Sequence, residues 1–344
     1  METLFYTVGA GHDNQMIGRA AHIIMRGGLV AFPTETVYGL GCNAYDGEAA
    51  LRVFQAKGRP ADNPLIVHVA EPREAYGFAE PTPMYDRLAE RFMPGPLTVV
   101  LPKKSAIPDE VTAGNDTVAV RCPSDPTARA LIKSAGCPIA APSANRSGSP
   151  SPTTAEHVYD DLDGRIDMIL DGGPCTIGLE STVIKLDEEN CTILRPGAVT
   201  KEMLEEVCGT VSVAEAVIDP SAVGSGNVPS PGMKYKHYAP RAEVVLVSAD
   251  RESFLRYVNE TAAAGDAVMC PSEDETAVRG DLIRLEMGRA DHPEEGSQRL
   301  YAALRTADDR HAARVFVRKP STDGVELAMY NRLIRAAECK ITEI

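Results

Sequence analysis

The sequence predicts an α/β protein of two domains. The first, over residues 1–208, is an open twisted mixed sheet with helices. A linker over 209–241 leads to a smaller α/β domain over 242–344. Three observations predict this. In the first stretch several strand-sized apolar runs follow one another with no helix between them, which suits a mixed sheet better than a strictly doubly wound one. Residues 217–240 are dense in Gly, Pro and Ser, the composition of a connector. From residue 243 strands and helices alternate regularly, the pattern of a parallel sheet. A length of 344 residues fits two or three domains, and 44% hydrophobic residues supply the cores.

The elements follow in order. Residues 13–26 read as a helix with Ile17, Ala20, Ala21 and Ile24 on one face and Gly27 and Gly28 after it. Residues 29–32 form a short apolar strand. The run P-T-E-T-V-Y-G-L-G at 33–41 is a polar turn that becomes apolar again. A second helix at 48–57 turns Ala50, Val53 and Phe54 inward and stops on Gly58. A rigid loop at 59–64 precedes a buried strand at 65–69 that carries His68. A helix at 84–93 is closed by Pro94, Gly95 and Pro96. Strands at 97–101 and 117–121 follow, the second ending on Arg121. Asp125 and Pro126 open a helix with an Asp cap and Pro at its first position. A strand ends at 139–141, and further strands lie at 166–170, 181–186 and 191–195. The second domain reads as strands at 244–247, 267–270, 282–285 and 315–317 with helices at 252–263, 298–306 and 324–337.

The stretch after Ala141 organises the rest. Pro142 stops the strand, and Ser143, Asn145, Ser147, Ser149 and Ser151 follow, with Gly148 for freedom and Pro150 and Pro152 for rigidity. Thr153 and Glu156 have capping-box spacing, so a helix is expected to start there. A hydroxyl-rich loop feeding a helix N-terminus suits an anion. It is also the composition of an ordinary turn.

Composition narrows the function. The net charge of −14 argues against a broad polyanion-binding face, and the absence of Trp against an aromatic platform for nucleic acid. No run approaches the roughly 20 apolar residues of a membrane span, and the first ten residues carry no secretory pattern. The eight cysteines contain no C-x-x-C pair and read as reduced, mostly buried thiols of a cytoplasmic protein. The seven histidines form no metal-ligand cluster, so no zinc site is expected. A P-loop, a dinucleotide fingerprint and a G-x-S-x-G elbow are all missing.

The few cations stand out in so acidic a chain. Lys57 and Arg59 flank Gly58 at a helix end. A basic residue there answers the helix dipole, but the pair also suits a phosphate, with Arg as a planar fork and Lys as a point charge. Arg121 and Arg195 end strands, where they are either solvated or ligands for a carboxylate or phosphate. His68, inside an apolar strand, is a satisfied core histidine or a ligand. Thr34, Glu35, Thr36 and Tyr38 follow another strand end, beyond which open α/β sheets bind ligands. Taken together, strand ends that deliver hydroxyls, amides and scarce positive charge predict a site for a small anion.

At these residues the chain resembles a known family. The P-T-E-T-V-Y-G-L-G run, K-G-R-P at 57–60, N-P-L at 63–65, S-A-N at 143–145, S-T-V at 181–183 and L-R-P-G at 194–197 resemble the YrdC-type threonylcarbamoyl-adenylate synthases. The segment S-P-G-M-K-Y-K-H-Y-A-P at 230–240 with its α/β tail is similar to the long, two-domain form, whose second domain is Rossmann-like. The resemblance implies a nucleotidyltransferase that joins L-threonine, bicarbonate or CO2 and ATP, with Mg2+ accompanying the ATP, into threonylcarbamoyl-AMP and pyrophosphate. The product would pass to downstream tRNA threonylcarbamoyl transferase proteins that modify the adenosine beside the anticodon. Direct tRNA binding is not expected, nor is a membrane.

The same resemblance implies roles for individual residues. Thr36, His68, Arg121, Ala141 and Ser181 would hold threonine. Arg59, Asn63, Thr117, Ser143, Ser151, Arg195 and Tyr235 would hold ATP. Lys57, Arg59, Ser143 and Asn145 form the catalytic signature. The linker from Ser230 to Pro240 would cover the occupied site. Two other readings share the fold. An RNA-binding module conflicts with the charge and the missing Trp, and a carbamoyl-transfer domain of the hydrogenase-maturation kind would need further segments that the length and cysteine spacing do not provide.

Overall fold

The computed structural model describes residues 2–9, 14–187, 190–220 and 239–344. The first domain opens with β1 (Leu4–Thr7), α1 (Asn14–Met25), β2 (Val30–Phe32), β3 (Gly39–Asn43) and α2 (Gly47–Lys57). α1 buries Ile17, Ala20, Ala21 and Ile24, the face read from the sequence. α2 is bounded by its own chemistry. The Asp46 side chain accepts from Ala49 N, and Gly58 closes the helix at φ 62°, a left-handed conformation that costs other residues about 1–2 kcal/mol.

β4 (Ile66–His68), α3 (Pro83–Phe92), β5 (Leu97–Pro102), the single turn α4 (Asp109–Thr112), β6 (Thr117–Arg121), α5 (Pro126–Ala135) and β7 (Ile139–Ala141) come next. α5 starts as expected, with Asp125 accepting from Ala128 N and Pro126 in the first turn. α6 (Ala155–Leu162) does not. Its cap is Thr154, which accepts from His157 N, so Thr153 lies before the helix, buried, and the capping box is not formed. Two adjacent threonines made the cap ambiguous by one residue. β8 (Met168–Asp171), β9 (Thr182–Asp187), β10 (Asn190–Arg195), α7 (Lys201–Cys208), β11 (Val211–Val213) and α8 (Glu215–Ile218) complete this part. The stretch from 209 therefore opens with regular structure, and β11 pairs in parallel with β10.

The eleven strands form one mixed sheet in the order β1-β8-β2-β3-β7-β4-β6-β5-β9-β10-β11. Neighbours β4 and β6 run parallel, while β7 lies antiparallel to β4 and β5 to β6. One face is covered by α2, α3, α6 and α7, which bury Val67, Val99, Val120 and Ala140 beneath Phe54, Leu88, Val158 and Leu204. On the opposite face α1 and α5 cover only the half that carries Val30, Phe32, Ile139 and Met168. Beyond them Ile66, Val100, Ala119, Val183 and Leu194 form a small apolar floor, against which Ala214 at the start of α8 packs.

The second domain contains β12 (Glu243–Ser248), α9 (Arg251–Thr261), β13 (Ala267–Cys270), β14 (Ile283–Glu286), α10 (Pro293–Asp309), β15 (Arg314–Arg318), α11 (Glu326–Ala336) and β16 (Ile341–Glu343). Its strands run in the order β14-β13-β15-β12-β16, all parallel. Helix α10 begins five residues before the expected 298, on Pro293, with Glu294 and Glu295 facing the dipole. Gly296 and Ser297 disguised that first turn as loop. β16 is too short to register as a strand in the sequence.

The domains share a core. Val37, Leu179 and Val217 pack with Leu300, Leu304 and Leu333 of the second domain. Gly178, at φ 79°, lets the backbones meet, since a Cβ there would lie 2.4 Å from Gln298 Cα and from its carbonyl oxygen. Gly178→Ala is expected to lower stability by about 2–4 kcal/mol, combining a left-handed alanine with overpacking. Urea unfolding measures it, and an unchanged midpoint would contradict this close approach.

Candidate functional site

A cavity lies against the sheet face that carries Ile66, and every residue lining it belongs to the first domain. Eight of the residues given ligand or catalytic roles line it: Arg59, His68, Arg121, Ala141, Ser143, Asn145, Ser151 and Arg195. Four of them sit on the last residue of a strand, His68 in β4, Arg121 in β6, Ala141 in β7 and Arg195 in β10, so strand ends do meet here, but from strands that do not all run the same way. Strands alternate their side chains between faces, and the register sets Ile66 beside both Ala141 and Ala119, so Ile66, His68, Ala119, Arg121 and Ala141 share one face. Because β7 runs against β4, Ser143 and His68 leave opposite ends of that strip. The site spans the face of the sheet rather than one edge.

At one end Arg121 and Glu35 are both buried. Arg121 Nη2 lies 2.9 Å from Glu35 Oε1. The angles are not those of a hydrogen bond, and Arg121 Nε and both Glu35 oxygens lack hydrogen-bond partners. A buried guanidinium in that state retains directional donors for a ligand. His68 beside it has Nδ1 3.1 Å from Ile66 O, which assigns the proton to Nδ1 and leaves Nε2 as an acceptor. Burial, helped by the Arg121 charge, drops the His68 pKa to about 3. The ring is therefore neutral near pH 7.

That depressed value has a consequence for stability. Below about pH 6.5 the unfolded chain protonates this histidine while the folded chain does not, so stability falls as pH falls. Acidification from pH 6.5 to about pH 4 should withdraw about 2–3 kcal/mol through His68. Asp125, raised by burial to about 6, works in the opposite direction, stabilising the fold as it protonates. Thermal unfolding against pH should show a shallower acid decline in His68→Gln. Identical slopes would contradict the neutral buried ring.

Lys57 departs from its expected place. It does not line the cavity. Its Nζ sits beneath the 143–149 loop and donates to Ser143 O at 2.5 Å, to Asn145 O at 2.5 Å and to Asn145 Oδ1 at 3.3 Å. Its own carbonyl accepts from Ser147 N at 2.9 Å. Burial, then the neighbouring Arg59, pushes the Lys57 pKa down, while three acceptors favour the ammonium form with its three donors. The last turn of α2 aims the side chain under the loop, so its charge shapes the loop instead of facing a ligand. Ser143 Oγ donates to Asn145 Oδ1 at 2.5 Å, and Asn145 Nδ2 donates to the Arg146 and Ser149 carbonyls, each at 2.8 Å. The N-terminus of α6 is not part of the cavity wall.

The remaining expected residues support or extend the site. Arg59 Nη2 donates to Asn63 O at 3.0 Å, and its guanidinium lies 5.5 Å from the Phe54 ring centroid. Asn63 is fully buried, with both side-chain amide atoms lacking hydrogen bonds. Thr117 shares the face of Arg121 but lies about 13 Å along the strand from it. Thr36 is buried behind the wall, its Oγ1 2.8 Å from Thr34 Oγ1. Ser181 is also fully buried. It accepts from Arg195 Nη2 at 3.1 Å, and Arg195 Nε donates to its carbonyl at 3.1 Å. Tyr235, with the rest of 221–238, lies outside the described residues. The chain re-enters at Ala239, whose N–H donates to Gly148 O at 3.0 Å.

Sequence reasoning missed Glu180. This carboxylate lines the cavity and is held by Ser151, Tyr301 and Arg332. Burial pushes its pKa up, but Arg332 and Arg195, together with the Ser151 and Tyr301 hydroxyls, outweigh burial and hold it below the usual range. Only its place next to Ser181 in the L-E-S-T run could have drawn attention to it. No group of three or more His, Cys, Asp or Glu side chains among the described residues could hold a metal ion. No described helix is long and apolar enough to cross a membrane.

Known proteins resemble the chain throughout. Residues 22–197 match the Sua5/YciO/YrdC family, described as telomere recombination, and residues 199–338 match the family described as the C-terminal domain of threonylcarbamoyl-AMP synthase. The chain is 43% identical over 328 residues to the threonylcarbamoyl-AMP synthase of Bacillus subtilis, with 94% of each chain covered. It is 44% identical over 352 residues to that of Pyrococcus abyssi, covering 99% of this chain and all of the other. The crystal structure of P. abyssi Sua5 complexed with L-threonine superposes with a TM-score of 0.92 at 42% identity, over 99% of this chain and 100% of that one.

Proposed function

The chain belongs to the threonylcarbamoyl-AMP synthase family in its two-domain form, and from that premise we propose that it condenses L-threonine, bicarbonate or CO2 and ATP into L-threonylcarbamoyl-AMP and pyrophosphate. The observation that carries the proposal is one cavity that brings together His68 and Arg121, which we assign to the amino acid, with Arg59, Ser143, Ser151 and Arg195, which we assign to the nucleotide.

The threonine carboxylate pairs with Arg121, which in the described residues already faces Glu35. The neutral His68 offers an acceptor to the substrate's hydroxyl or amine. Thr36, Ala141 and Ser181 complete this end, Thr36 and Ser181 by supporting the wall. The amine nitrogen attacks CO2 and loses a proton, giving a carbamate. A carbamate oxygen then attacks the α-phosphorus of ATP, and the bond to pyrophosphate breaks. No protein nucleophile is required. The enzyme's part is to hold two substrates in line and to neutralise phosphate charge. Arg59 and Arg195 supply that charge, Ser143 and Ser151 line the wall beside them with their hydroxyl protons held by Asn145 and Glu180, and Asn63 and Thr117 lie toward the nucleoside. Lys57 and Asn145 build the loop that presents Ser143. Mg2+ arrives with the ATP phosphates, since the lining carboxylate, Glu180, is already committed to Arg332. Tyr235 is proposed as a further ATP contact.

The product feeds the threonylcarbamoyl modification of tRNA adenosine beside the anticodon through downstream transferase proteins, in the cytoplasm, with no tRNA contact by this acidic chain. Pyrophosphate release tests the reading. It should require both threonine and bicarbonate. Release from ATP at the same rate without threonine would overturn it.

A further inference from the structure

We propose that Tyr301 and Arg332 of the second domain are positioning residues for the nucleotide end of the cavity and act through Glu180. The inference rests on the function proposed above. Glu180 faces the cavity that would hold phosphates, and an uncompensated carboxylate there would repel them. Both its oxygens are occupied. Ser151 Oγ donates to Oε1 at 2.5 Å, Arg332 Nε donates to Oε2 at 3.0 Å, and the Tyr301 hydroxyl lies 3.0 and 2.8 Å from the two oxygens.

The chemistry selects Arg332 for two tasks. It is fully buried and sets its charge against that of Glu180. Its Nη1 also donates to Pro196 O at 2.7 Å, the carbonyl that follows Arg195. One guanidinium thereby fixes the backbone beside Arg195 and, through Glu180, the hydroxyl of Ser151. These are two of the residues assigned to ATP, and their orientation is set from helices α10 and α11 of the other domain. The second domain thereby supports the site's wall from behind, through a lining residue of the first domain. Removing Tyr301's hydroxyl leaves its ring in the shared apolar core, so the fold can be kept while the contact is lost.

The full-length enzyme tests this with Tyr301→Phe, Arg332→Gln and Glu180→Gln. Tyr301→Phe should raise the KM for ATP about tenfold, with the KM for threonine moving far less. In a Glu180→Gln background the same Tyr301→Phe change should have almost no further effect on ATP, because the group it acts through is altered. An unchanged KM for ATP, or an equal penalty in both backgrounds, would overturn the proposal and leave Tyr301 a packing residue. If Arg332→Gln does not fold, Tyr301→Phe still decides. Calorimetric titration of wild type and variant with ATP makes the same comparison without turnover. A wild-type chain that makes no adenylate would therefore sink the proposed function and leave this inference to be judged on binding.

Discussion

Lys57→Ala is expected to cut pyrophosphate release by about a thousandfold or more, equivalent to about 4 kcal/mol of barrier, and to destabilise the fold at the same time. The lysine supplies the donors for Ser143 O, Asn145 O and Asn145 Oδ1 beneath a loop whose Ser143 and Asn145 side chains line the cavity. Alanine removes all three donors and leaves carbonyls buried without partners, at about 1–3 kcal/mol for each one that water cannot reach. Lys57→Met keeps the apolar stem and removes only the ammonium group, so it should reproduce the activity loss with better packing. Turnover measured alongside the thermal midpoint checks both effects. Near-normal turnover in either variant would show that the loop holds its shape without the ammonium.

Arg59→Ala should lose activity by a different route. The guanidinium reaches the cavity from a loop beyond Gly58, resting against Phe54 and the Asn63 carbonyl, and it is only partly buried. Its loss should reduce kcat/KM for ATP by about a hundredfold or more, the scale of one preorganised charge at a developing anion, with little change in the thermal midpoint. Arg59→Lys should recover only part, because a point charge replaces a planar fork. A fall in stability as large as that of Lys57→Ala would mean that the two cations share one structural task.

That contrast marks what could be read from the chain alone. Many elements were legible, because the apolar period of α1, the Asp125–Pro126 start of α5 and the Gly58 stop of α2 are local signals, whereas β1, α7, β11, α8 and β16 were not. Of the residues given site roles, eight meet in one cavity, while Thr36, Lys57, Asn63, Thr117 and Ser181 do not line it. Their geometry was not legible. Whether a strand end faces a shared hollow depends on which strands become neighbours, and the reversal of β7 against β4 spreads the site across the sheet. Lys57 and Arg59, two residues apart, read as a matched pair. The helix ends between them, so one turns under the loop and the other out to the cavity. Glu180 escaped notice because its partners Tyr301 and Arg332 lie more than a hundred residues away and in another domain.

The most direct measurement is mass spectrometry of the full-length protein incubated with ATP, Mg2+, L-threonine and 13C-labelled bicarbonate. The account predicts an ion at the mass of threonylcarbamoyl-AMP that carries the label and disappears when threonine is omitted. ATP consumed to ADP or AMP with no labelled adduct, while the protein remains folded, would contradict it.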